Sequence, residues 1–353
     1  MQTKKIAVVG ASGYSGEELV GLLLRHPHAD LVAVTSRQNA GQTLAQIFPK
    51  FASHPKSKAL RFTEPNAERL AKQADVVFLA LPHGVAAEYA VPLLQGGCVV
   101  IDLSADFRLR SAEIYKEFYA HDHPAPDLLA TSVYGLPEIH RDQIKQATLI
   151  ASPGCYPTSI LLPTIPLVKA KLVNPHSIIA DSLSGVSGAG RQTEPDYLFV
   201  ECNESVRPYG VPKHRHLSEI EEQLSLAAGT KITVQFTPHL IPANRGILTT
   251  LYLAPTEHFA DAAGAARLGE KITACYRASY GHEPFVRLLE GQALPDTKNV
   301  VGTNVIEIAW RLDPRTGRLI VMSAEDNLVK GASGQAVQSM NILCGFAETA
   351  GLM

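Results

Sequence analysis

The N-terminal stretch constrains the fold of this chain more than any other feature. Residues 5–9 form an apolar run typical of a buried strand, and the turn after it reads G-A-S-G-Y-S-G. The next ten residues, E-E-L-V-G-L-L-L-R-H, have apolar side chains at helical spacing. A strand, a glycine turn and a helix form a dinucleotide phosphate cradle, because glycines admit the pyrophosphate and the helix N-terminus faces its charge. The glycine spacing departs from G-x-G-x-x-G, but its position in the first βα unit favours a cofactor site comprising Gly10, Ser12, Gly13, Tyr14, Ser15 and Gly16.

The end of the second predicted strand bears on which nicotinamide cofactor is bound. This strand covers residues 31–35 and is followed by Ser36 and Arg37. NAD-selective sites usually carry an acidic residue here for the ribose 2′-hydroxyl, whereas a hydroxyl and a guanidinium suit a 2′-phosphate. We therefore predict that Ser36 and Arg37 bind NADP(H). The alternative is that Arg37 is a solvated surface arginine.

Strands and helices continue to alternate up to residue 151. Apolar runs over residues 76–81, 98–102 and 148–151 predict buried parallel strands, and residues 84–94 predict a helix. Repeated βα units predict a Rossmann-type doubly wound parallel sheet, which binds ligands at the carboxyl ends of its strands. Arg108, after one such end, is either a phosphate clamp or half of a surface ion pair. Three other residues at strand ends are assigned to the cofactor site: Pro82, His83 and Ser104.

A cysteine follows the last of these strands. Residues 151–158 read A-S-P-G-C-Y-P-T, and the apolar run after them can continue as a helix. Cys155 is therefore predicted at or near a helix N-terminus, where unpaired N–H groups and the helix dipole favour the thiolate, the reactive form of cysteine. On these residues alone, a nucleophile and a small buried residue filling a turn are equally open readings.

The second half of the chain has a different pattern. Strand-like runs at residues 177–184, 231–237, 247–254, 305–312 and 318–323, with helices from about residue 217 and over 262–279, predict a mixed or antiparallel α+β domain. A long irregular segment, residues 185–213, separates the first strand from the first helix. We predict an NADP-binding domain over 1–150, completed by the C-terminal segment 328–353 with a helix from about residue 331 to residue 347, and a catalytic and dimerisation domain over 151–327.

Composition excludes several classes of protein. The formal charge of −2 over 353 residues gives no reason to expect a nucleic-acid partner, and no apolar run is long enough to span a membrane. Five cysteines without a C-x-x-C pair argue against a disulfide framework or a metal site and fit a reducing, cytoplasmic location. We expect a small-molecule substrate and no metal.

Six motifs, in this order along nearly the whole chain, resemble one enzyme family. They read G-A-S-G-Y-S-G, S-A-D-F-R, P-G-C-Y-P-T, G-A-G-R, K-H-R-H-x-x-E and I-P-x-x-R-G. Together they resemble N-acetyl-gamma-glutamyl-phosphate reductase and, more distantly, aspartate-semialdehyde dehydrogenase. One departure is Ala243, where the family commonly has methionine.

The resemblance implies a reaction and roles for residues. It implies reduction of N-acetyl-glutamyl 5-phosphate by NADPH to the semialdehyde, with release of phosphate, in arginine biosynthesis. Cys155 would be the nucleophile that forms a thioester, and His214 its acid–base partner. Four residues are implied in substrate binding: Arg108, Arg191, His216 and Glu219.

Other readings remain open at this stage. The chain can be a reductase of a related acyl phosphate, of the aminoadipyl or aspartyl type, or a non-catalytic NADP-binding regulatory protein. We also assign Asn327, in D-N-L-V-K-G, to the cofactor site and interpret His239 as a structural histidine. The second domain offers a sheet for assembly, and we expect a homodimer or homotetramer.

Overall fold

The computed structural model describes residues 2–191, 194–259 and 261–353 of the chain. The chain divides into two compact units. The first unit comprises Met1–Gly154 and Ala332–Met353, and the second comprises Cys155–Gly331.

The first unit is built on a parallel sheet with the strand order β3-β2-β1-β4-β5-β7-β6. Its strands are β1 (Lys4–Val9), β2 (Ala29–Thr35), β3 (Phe62–Thr63), β4 (Val76–Leu79), β5 (Val99–Asp102), β6 (Val133–Tyr134) and β7 (Leu149–Ala151). Its helices are α1 (Tyr14–Arg25), α2 (Leu44–Ile47), α3 (Ala67–Ala71), α4 (Ala86–Gln95), α5 (Ala112–Tyr119), α6 (Pro137–Ile144) and, from the end of the chain, α11 (Gly334–Cys344).

Apolar cores lie on both faces of this sheet. On one face, strand residues such as Val8 and Phe78 pack with α1, α6 and α11; on the other, their neighbours Val9 and Val77 pack with α3 and α4. Both faces are covered because alternate residues of a central parallel strand point to opposite sides and each side must be buried. The predicted doubly wound fold is confirmed, and α11 lies in the same unit as the parallel sheet.

The second unit contains a mixed sheet with the order β12-β13-β14-β11-β8-β10-β9. Its strands are β8 (Ile179–Ser184), β9 (Arg207–Pro208), β10 (Gln235–Leu240), β11 (Ile247–Leu253), β12 (Val286–Leu288), β13 (Ile306–Asp313) and β14 (Arg318–Glu325). Its helices are α7 (Cys155–Lys169), α8 (Phe199–Cys202), α9 (His216–Ala228) and α10 (Ala262–Tyr280). Helix α7 packs against β11 and β14 and is flanked by α9 and α10, so the predicted α+β class is confirmed.

The strand predicted over residues 231–237 is wrong in position, since β10 spans Gln235–Leu240. The backbone N–H groups of Ile232 and Val234 donate instead to the side chains of Ser225 and Glu221 on α9. The predicted strand ended at Thr237, one residue before Pro238, which has no N–H to donate to a neighbouring strand. The structure continues through Pro238, whose carbonyl oxygen accepts a hydrogen bond from the N–H of Tyr209.

The last helix is also shorter than predicted. A π-helical turn over Val329–Ser333 precedes α11, and Gly345, at φ +68°, ends it in the left-handed conformation that glycine favours. The helix therefore spans Gly334–Cys344 and not residues 331–347.

Within the described ranges, no helix has both the length and the apolar composition that a membrane span requires. No group of three or more His, Cys, Asp or Glu side chains there is arranged to hold a metal ion.

Candidate active site

Cys155 is the first residue of α7, as the sequence predicted. Its sulfur forms no disulfide bond, and the residue is partly exposed. The first turn of α7 contains no acidic residue, so no helix-start carboxylate opposes a negative charge there. The unpaired N–H groups of a helix N-terminus favour the thiolate over the thiol.

A glycine forms one wall beside this thiol. A methyl group added at Gly331 would lie 2.8 Å from Cβ of Cys155 and 2.9 Å from Oε1 of Glu325, which is fully buried at the end of β14. Both distances are too short for any side chain. Gly331 therefore lets the chain pass between the cysteine and the carboxylate.

The turn that carries Gly331 is held by Asp326. Its Oδ1 accepts hydrogen bonds from the N–H groups of Leu328 and Val329, and Oδ2 accepts one from Gly302. Arg245 faces the same carboxylate, with Nε 3.5 Å from Oδ2. Arg245, the arginine of I-P-A-N-R-G, therefore stabilises the turn that carries Gly331.

His214 lies in an aromatic enclosure within the same unit. Its ring centroid is 5.6 Å from that of Tyr156, 5.4 Å from that of Tyr209 and 5.6 Å from that of Phe236. The hydroxyl of Tyr209 donates to that of Tyr156 at 2.9 Å, which joins two walls of the enclosure. Since Tyr156 directly follows Cys155, the enclosure connects the histidine to the start of α7.

Burial governs the protonation of these groups. Together with the neighbouring positive charge of Arg215, it lowers the pKa of His214 to about 4. Burial also raises the pKa of the Tyr156 and Tyr209 hydroxyls well above the usual value. Near neutral pH the histidine and both tyrosines are therefore uncharged.

The other predicted residues of this unit occupy different settings. His216 is the first residue of α9, with its ring 5.0 Å from that of His214, and Glu219 is buried one turn later. Asn327 is buried as well: its Oδ1 accepts from the N–H of Gly246, and its Nδ2 donates to Oγ of Ser187. Arg191 is exposed.

The three glycines of the N-terminal turn meet three different requirements. Gly10 has φ +78°, and a methyl group on it would lie 2.2 Å from the carbonyl oxygen of Ala80. A methyl group on Gly16 would lie 2.6 Å from Cα of Ala11, so only glycine permits this packing of helix on strand. Gly13 is the N-cap of α1, and a methyl group on it would meet only the carbonyl oxygen of Gly10, at 3.8 Å. These are the turn, packing and open-approach positions that a pyrophosphate cradle needs.

Polar side chains gather where β1 and β2 end. Oγ of Ser12 donates to Oγ of Ser36 at 3.0 Å, and Nδ2 of Asn39 donates to the same atom at 3.2 Å. Arg37 is exposed, and its Nη2 donates to the hydroxyl of Tyr89 at 3.2 Å, which orients the guanidinium. The first unit therefore places a hydroxyl and an oriented guanidinium beside the cradle, a donor set suited to a 2′-phosphate. Of the other predicted turn residues, Tyr14 is exposed, and the carbonyl of Ser15 accepts from Oγ of Ser333.

The loops that follow β4 and β5 are connected by hydrogen bonds. Nδ1 of His83 accepts from the N–H of Ala105, and Oδ1 of Asp106 accepts from the N–H of Gly84 and the hydroxyl of Tyr115. These bonds fix the position of His83, whereas Pro82 is exposed.

Two predicted residues of the S-A-D-F-R motif are buried in this unit. Oγ of Ser104 donates to Oδ2 of Asp102 and accepts from the N–H of Asp106. The serine hydroxyl therefore stabilises the loop after β5. Nη2 of Arg108 donates to the carbonyl of Leu103, and the residue is 6% exposed. Burial, with the nearby charge of Asp106, raises the pKa of Asp102 to about 7.

Comparison with known proteins assigns this constellation to a family. A family model described as "Semialdehyde dehydrogenase, NAD binding domain" matches residues 5–147, and one described as "Semialdehyde dehydrogenase, dimerisation domain" matches residues 155–327. The N-acetyl-gamma-glutamyl-phosphate reductase of Akkermansia muciniphila is 55% identical over 353 residues, which is 100% of this chain and 99% of that protein. The chain belongs to the N-acetyl-gamma-glutamyl-phosphate reductase family. The family resemblance read from the six motifs is confirmed.

Further relatives agree with this assignment to the N-acetyl-gamma-glutamyl-phosphate reductases. The enzyme of that name from Syntrophobacter fumaroxidans is 48% identical, covering 99% of this chain and 97% of its own. Among solved structures, aspartate semialdehyde dehydrogenase II of Vibrio cholerae has a TM-score of 0.72 at 17% identity, covering 98% of this chain and 99% of its own. Aspartate semialdehyde dehydrogenase with NADP from Candida albicans has a TM-score of 0.68 at 17% identity, covering 97% of this chain and 99% of its own. At such identities these two structures support the fold alone.

Sequence reasoning missed the enclosure of His214. Tyr156 lies within the motif P-G-C-Y-P-T and Tyr209 within the irregular segment, yet neither was given a role. The available signal was an aromatic residue directly after the predicted nucleophile. Its partner could not be identified, because the two tyrosines are 53 residues apart in the chain.

Proposed function

We propose that this chain is an NADP-dependent oxidoreductase that reduces N-acetyl-L-glutamyl 5-phosphate to N-acetyl-L-glutamate 5-semialdehyde, with release of phosphate, in arginine biosynthesis. The observation that carries the proposal is Cys155 at the N-terminus of α7, in a chain 55% identical over its whole length to a reductase of that name. A cysteine in this setting suits the attack on an acyl phosphate.

The chemistry begins at the sulfur of Cys155. The thiolate forms a bond to the acyl carbon, the bond from that carbon to the phosphate oxygen breaks, and phosphate leaves. The product is a thioester on Cys155. NADPH, when bound, supplies the hydride that reduces this thioester. The carbon–sulfur bond then breaks, which releases the aldehyde and restores the thiolate.

Residues of the first unit are proposed to hold the cofactor. The backbone around Gly13 approaches the pyrophosphate, with Ser12, Tyr14 and Ser15 in the same turn. Ser36 and Arg37 bind the 2′-phosphate, which selects NADP(H) over NAD(H). The loop residues Pro82, His83 and Ser104, together with Asn327, complete the proposed set.

The substrate-binding set is proposed from residue chemistry. Arg108 and Arg191 bear the positive charge that a phosphate or carboxylate requires. His216 and Glu219 follow His214 at the start of α9 and are proposed to bind the polar groups of the substrate. The five cysteines form no disulfide bond, which suits a reducing compartment, so we propose a cytoplasmic location.

The substrate is tested in the reverse direction. With NADP and phosphate present, N-acetyl-glutamate semialdehyde should be oxidised with a kcat/KM at least about 10²-fold above that of aspartate semialdehyde, because a closed site built for an amide leaves polar groups unpaired when it is offered a free amine. Nicotinamide absorbance measures both rates, and N-acetyl-aminoadipate semialdehyde tests the longer chain. Equal rates on the first two would limit the assignment to acyl-phosphate reduction, and a preference for aspartate semialdehyde would refute it.

A second copy of the chain is the proposed partner. Helix α7 covers one face of the second sheet, while the opposite face carries apolar side chains that the protomer covers only in part. The strand register brings Ile179, Tyr252 and Ile320 side by side, and the first two are 38% and 37% exposed. A largely apolar face, interrupted by Asp181 and Thr250, within a segment that matches a dimerisation domain favours pairing of two such sheets. Three more residues share this face: Leu183, Leu248 and Met322.

The proposed interface predicts that one added charge on this face prevents assembly. Met322→Lys places an ammonium group at the centre of the apolar face, where pairing would bury it, so the variant should sediment as a monomer while the wild type sediments as a dimer or tetramer. Leu226→Lys, at a 47% exposed position of α9, is the control and should leave the mass unchanged. A wild-type protein that is monomeric at micromolar concentration would contradict the proposal.

A further inference from the structure

We propose that the buried carboxylate of Glu325 tunes the reactivity of Cys155, by placing a negative charge beside a thiolate that the N-terminus of α7 favours. Glu325 is a positioning residue in this reaction, because it acts through the charge that it presents to the nucleophile. The inference rests on Cys155 as the nucleophile of the proposed function, and it adds a residue that none of the sequence motifs singled out.

Glu325 lies beside the first turn of α7. Oγ of Ser323 on β14 donates to the carbonyl oxygen of Ser159 on α7. Alternate residues of a strand point to the same side, so Glu325 also faces α7, and Cys155 is one helical turn before Ser159. The methyl-group distances at Gly331 place Cβ of Cys155 and Oε1 of Glu325 within about 6 Å of each other, the range in which one charge shifts the pKa of another.

A lysine in the same turn favours the charged form of Glu325. Glu325 and Lys330 are both 0% exposed, and Nζ of Lys330 lies 5.8 Å from the centroid of the Phe285 ring. A lysine is almost never fully buried unless it is paired, and buried groups of opposite charge favour each other's ionised forms. The other acid of this turn, Asp326, already accepts three backbone hydrogen bonds and faces Arg245. Glu325 is therefore the carboxylate of this turn that suits the lysine.

Two opposite influences then act on the sulfur of Cys155. The unpaired N–H groups at the start of α7 stabilise the thiolate, whereas the carboxylate of Glu325 destabilises it. A thiolate stabilised by the helix alone would form at a lower pH, but it would be a weaker nucleophile, since nucleophilicity falls as the pKa falls. The best attacking thiol has a pKa near the working pH. Glu325 therefore keeps the sulfur nucleophilic while the helix keeps it ionisable.

The other ionisable groups near the start of α7 stay unchanged in the variants below, so they cannot produce a difference between them. Asp326 and Arg245 belong to the adjoining turn and carry opposite charges. The remaining groups come from α7 itself, from the segment before α9 and from α9: Tyr156, Tyr209, His214, His216 and Glu219.

Glu325→Gln removes the charge and keeps the shape of the side chain. The pH at which iodoacetamide labels Cys155 at half its maximal rate should fall by about one unit, because a neighbouring negative charge raises the pKa of a thiol. The maximal labelling rate should fall about threefold, because a thiolate of lower pKa is a weaker nucleophile. A midpoint that stays unchanged or rises would overturn the proposal.

Glu307→Gln is the matched control. Glu307 is 2% exposed on β13 and pairs with Ala324, the residue before Glu325, so its side chain points to the opposite face of the sheet. Its carboxylate is paired with Arg287 at 2.9 Å. The substitution makes the same change in charge and should leave the midpoint and the maximal rate for Cys155 unchanged. An equal shift in both variants would overturn a role specific to Glu325.

Two further measurements keep the proposal testable if Glu325→Gln does not fold. Glu325→Asp retains the charge and should keep the wild-type midpoint, and a midpoint lowered by about one unit in this variant would contradict the electrostatic role. In wild type, the midpoint should lie above about pH 7, since helix-start thiols with no opposing charge reach pKa values well below that. A lower wild-type midpoint would overturn the proposal.

Alkylation also separates this inference from the proposed function, because it needs no substrate. If wild type lacked activity on N-acetyl-glutamate semialdehyde, the proposed function would fail while the midpoints still reported on Glu325. If wild type is active, the acidic limb of its pH profile of kcat/KM should move to lower pH in Glu325→Gln by the same amount as the labelling midpoint. A limb that does not move while the midpoint does would overturn the link between Glu325 and the reaction.

Discussion

Cys155→Ala is expected to lower kcat by at least about 10⁴-fold, because removal of the nucleophile from an enzyme that works through a covalent intermediate costs several orders of magnitude. Binding of NADP(H) should stay within about threefold of wild type, since the cradle around Gly10, Gly13 and Gly16 belongs to the first unit and retains every atom. Steady-state rates and NADPH fluorescence measure the two quantities on one preparation.

A second cysteine provides the control. Burial raises the pKa of the Cys344 thiol to about 11, so it is not a nucleophile near neutral pH, and Cys344→Ala should retain full activity. The same difference predicts that limiting iodoacetamide at neutral pH inactivates the enzyme through Cys155 and spares Cys344. Activity of Cys155→Ala within about tenfold of wild type would refute the covalent route.

Arg37→Asp is expected to lower the ratio of kcat/KM for NADPH to that for NADH by roughly 10²-fold or more. The substitution removes a charge-assisted donor to the 2′-phosphate and places a carboxylate near it, and both changes weaken NADPH binding. The same carboxylate can accept from the ribose 2′-hydroxyl of NADH. The effect should shrink as salt is added, because Arg37 is exposed.

Arg69→Asp is the matched control for Arg37→Asp. Arg69 lies on α3 of the same unit, and the substitution makes the same change in charge. It should leave the cofactor ratio unchanged. An unchanged ratio in Arg37→Asp as well would show that Arg37 is only a solvated surface arginine.

The parallel sheet of the first unit was predictable because its central strands are buried on both faces. Such strands appear in the sequence as continuous apolar runs. The predicted ends of β1, β4, β5 and β7 lie within two residues of the observed ends. Helices α5 and α6 were not predicted. Each has only eight residues, and the backbone of α6 departs from helical geometry at His140, so its periodicity is interrupted.

The parts of the site that arise from local chemistry were also predictable. A cysteine after proline and glycine, ahead of an apolar run, predicts a helix-start thiol without any tertiary information, and α7 begins at that residue. The glycine turn at residues 10–16 was predictable for the same reason, because its residues are adjacent in the sequence.

Contacts between distant segments could not be read from the sequence. The enclosure of His214 joins Tyr156 of α7, Tyr209 of the irregular segment and Phe236 of β10. Gly331 and Cys155 lie close together although they are the last and the first residue of the second unit in the sequence. No period or spacing in the sequence encodes such meetings, because they depend on how α7 packs against the sheet.

A burst experiment in the absence of phosphate tests the covalent mechanism most directly. Enzyme mixed with N-acetyl-glutamate semialdehyde and NADP, without phosphate, should form NADPH in an amount equal to the enzyme chains and then stop. The N-acetylglutamyl group should be found by mass spectrometry on the peptide that contains Cys155, and added phosphate should restart turnover. Absence of a burst, or an acyl group on another residue, would contradict the account.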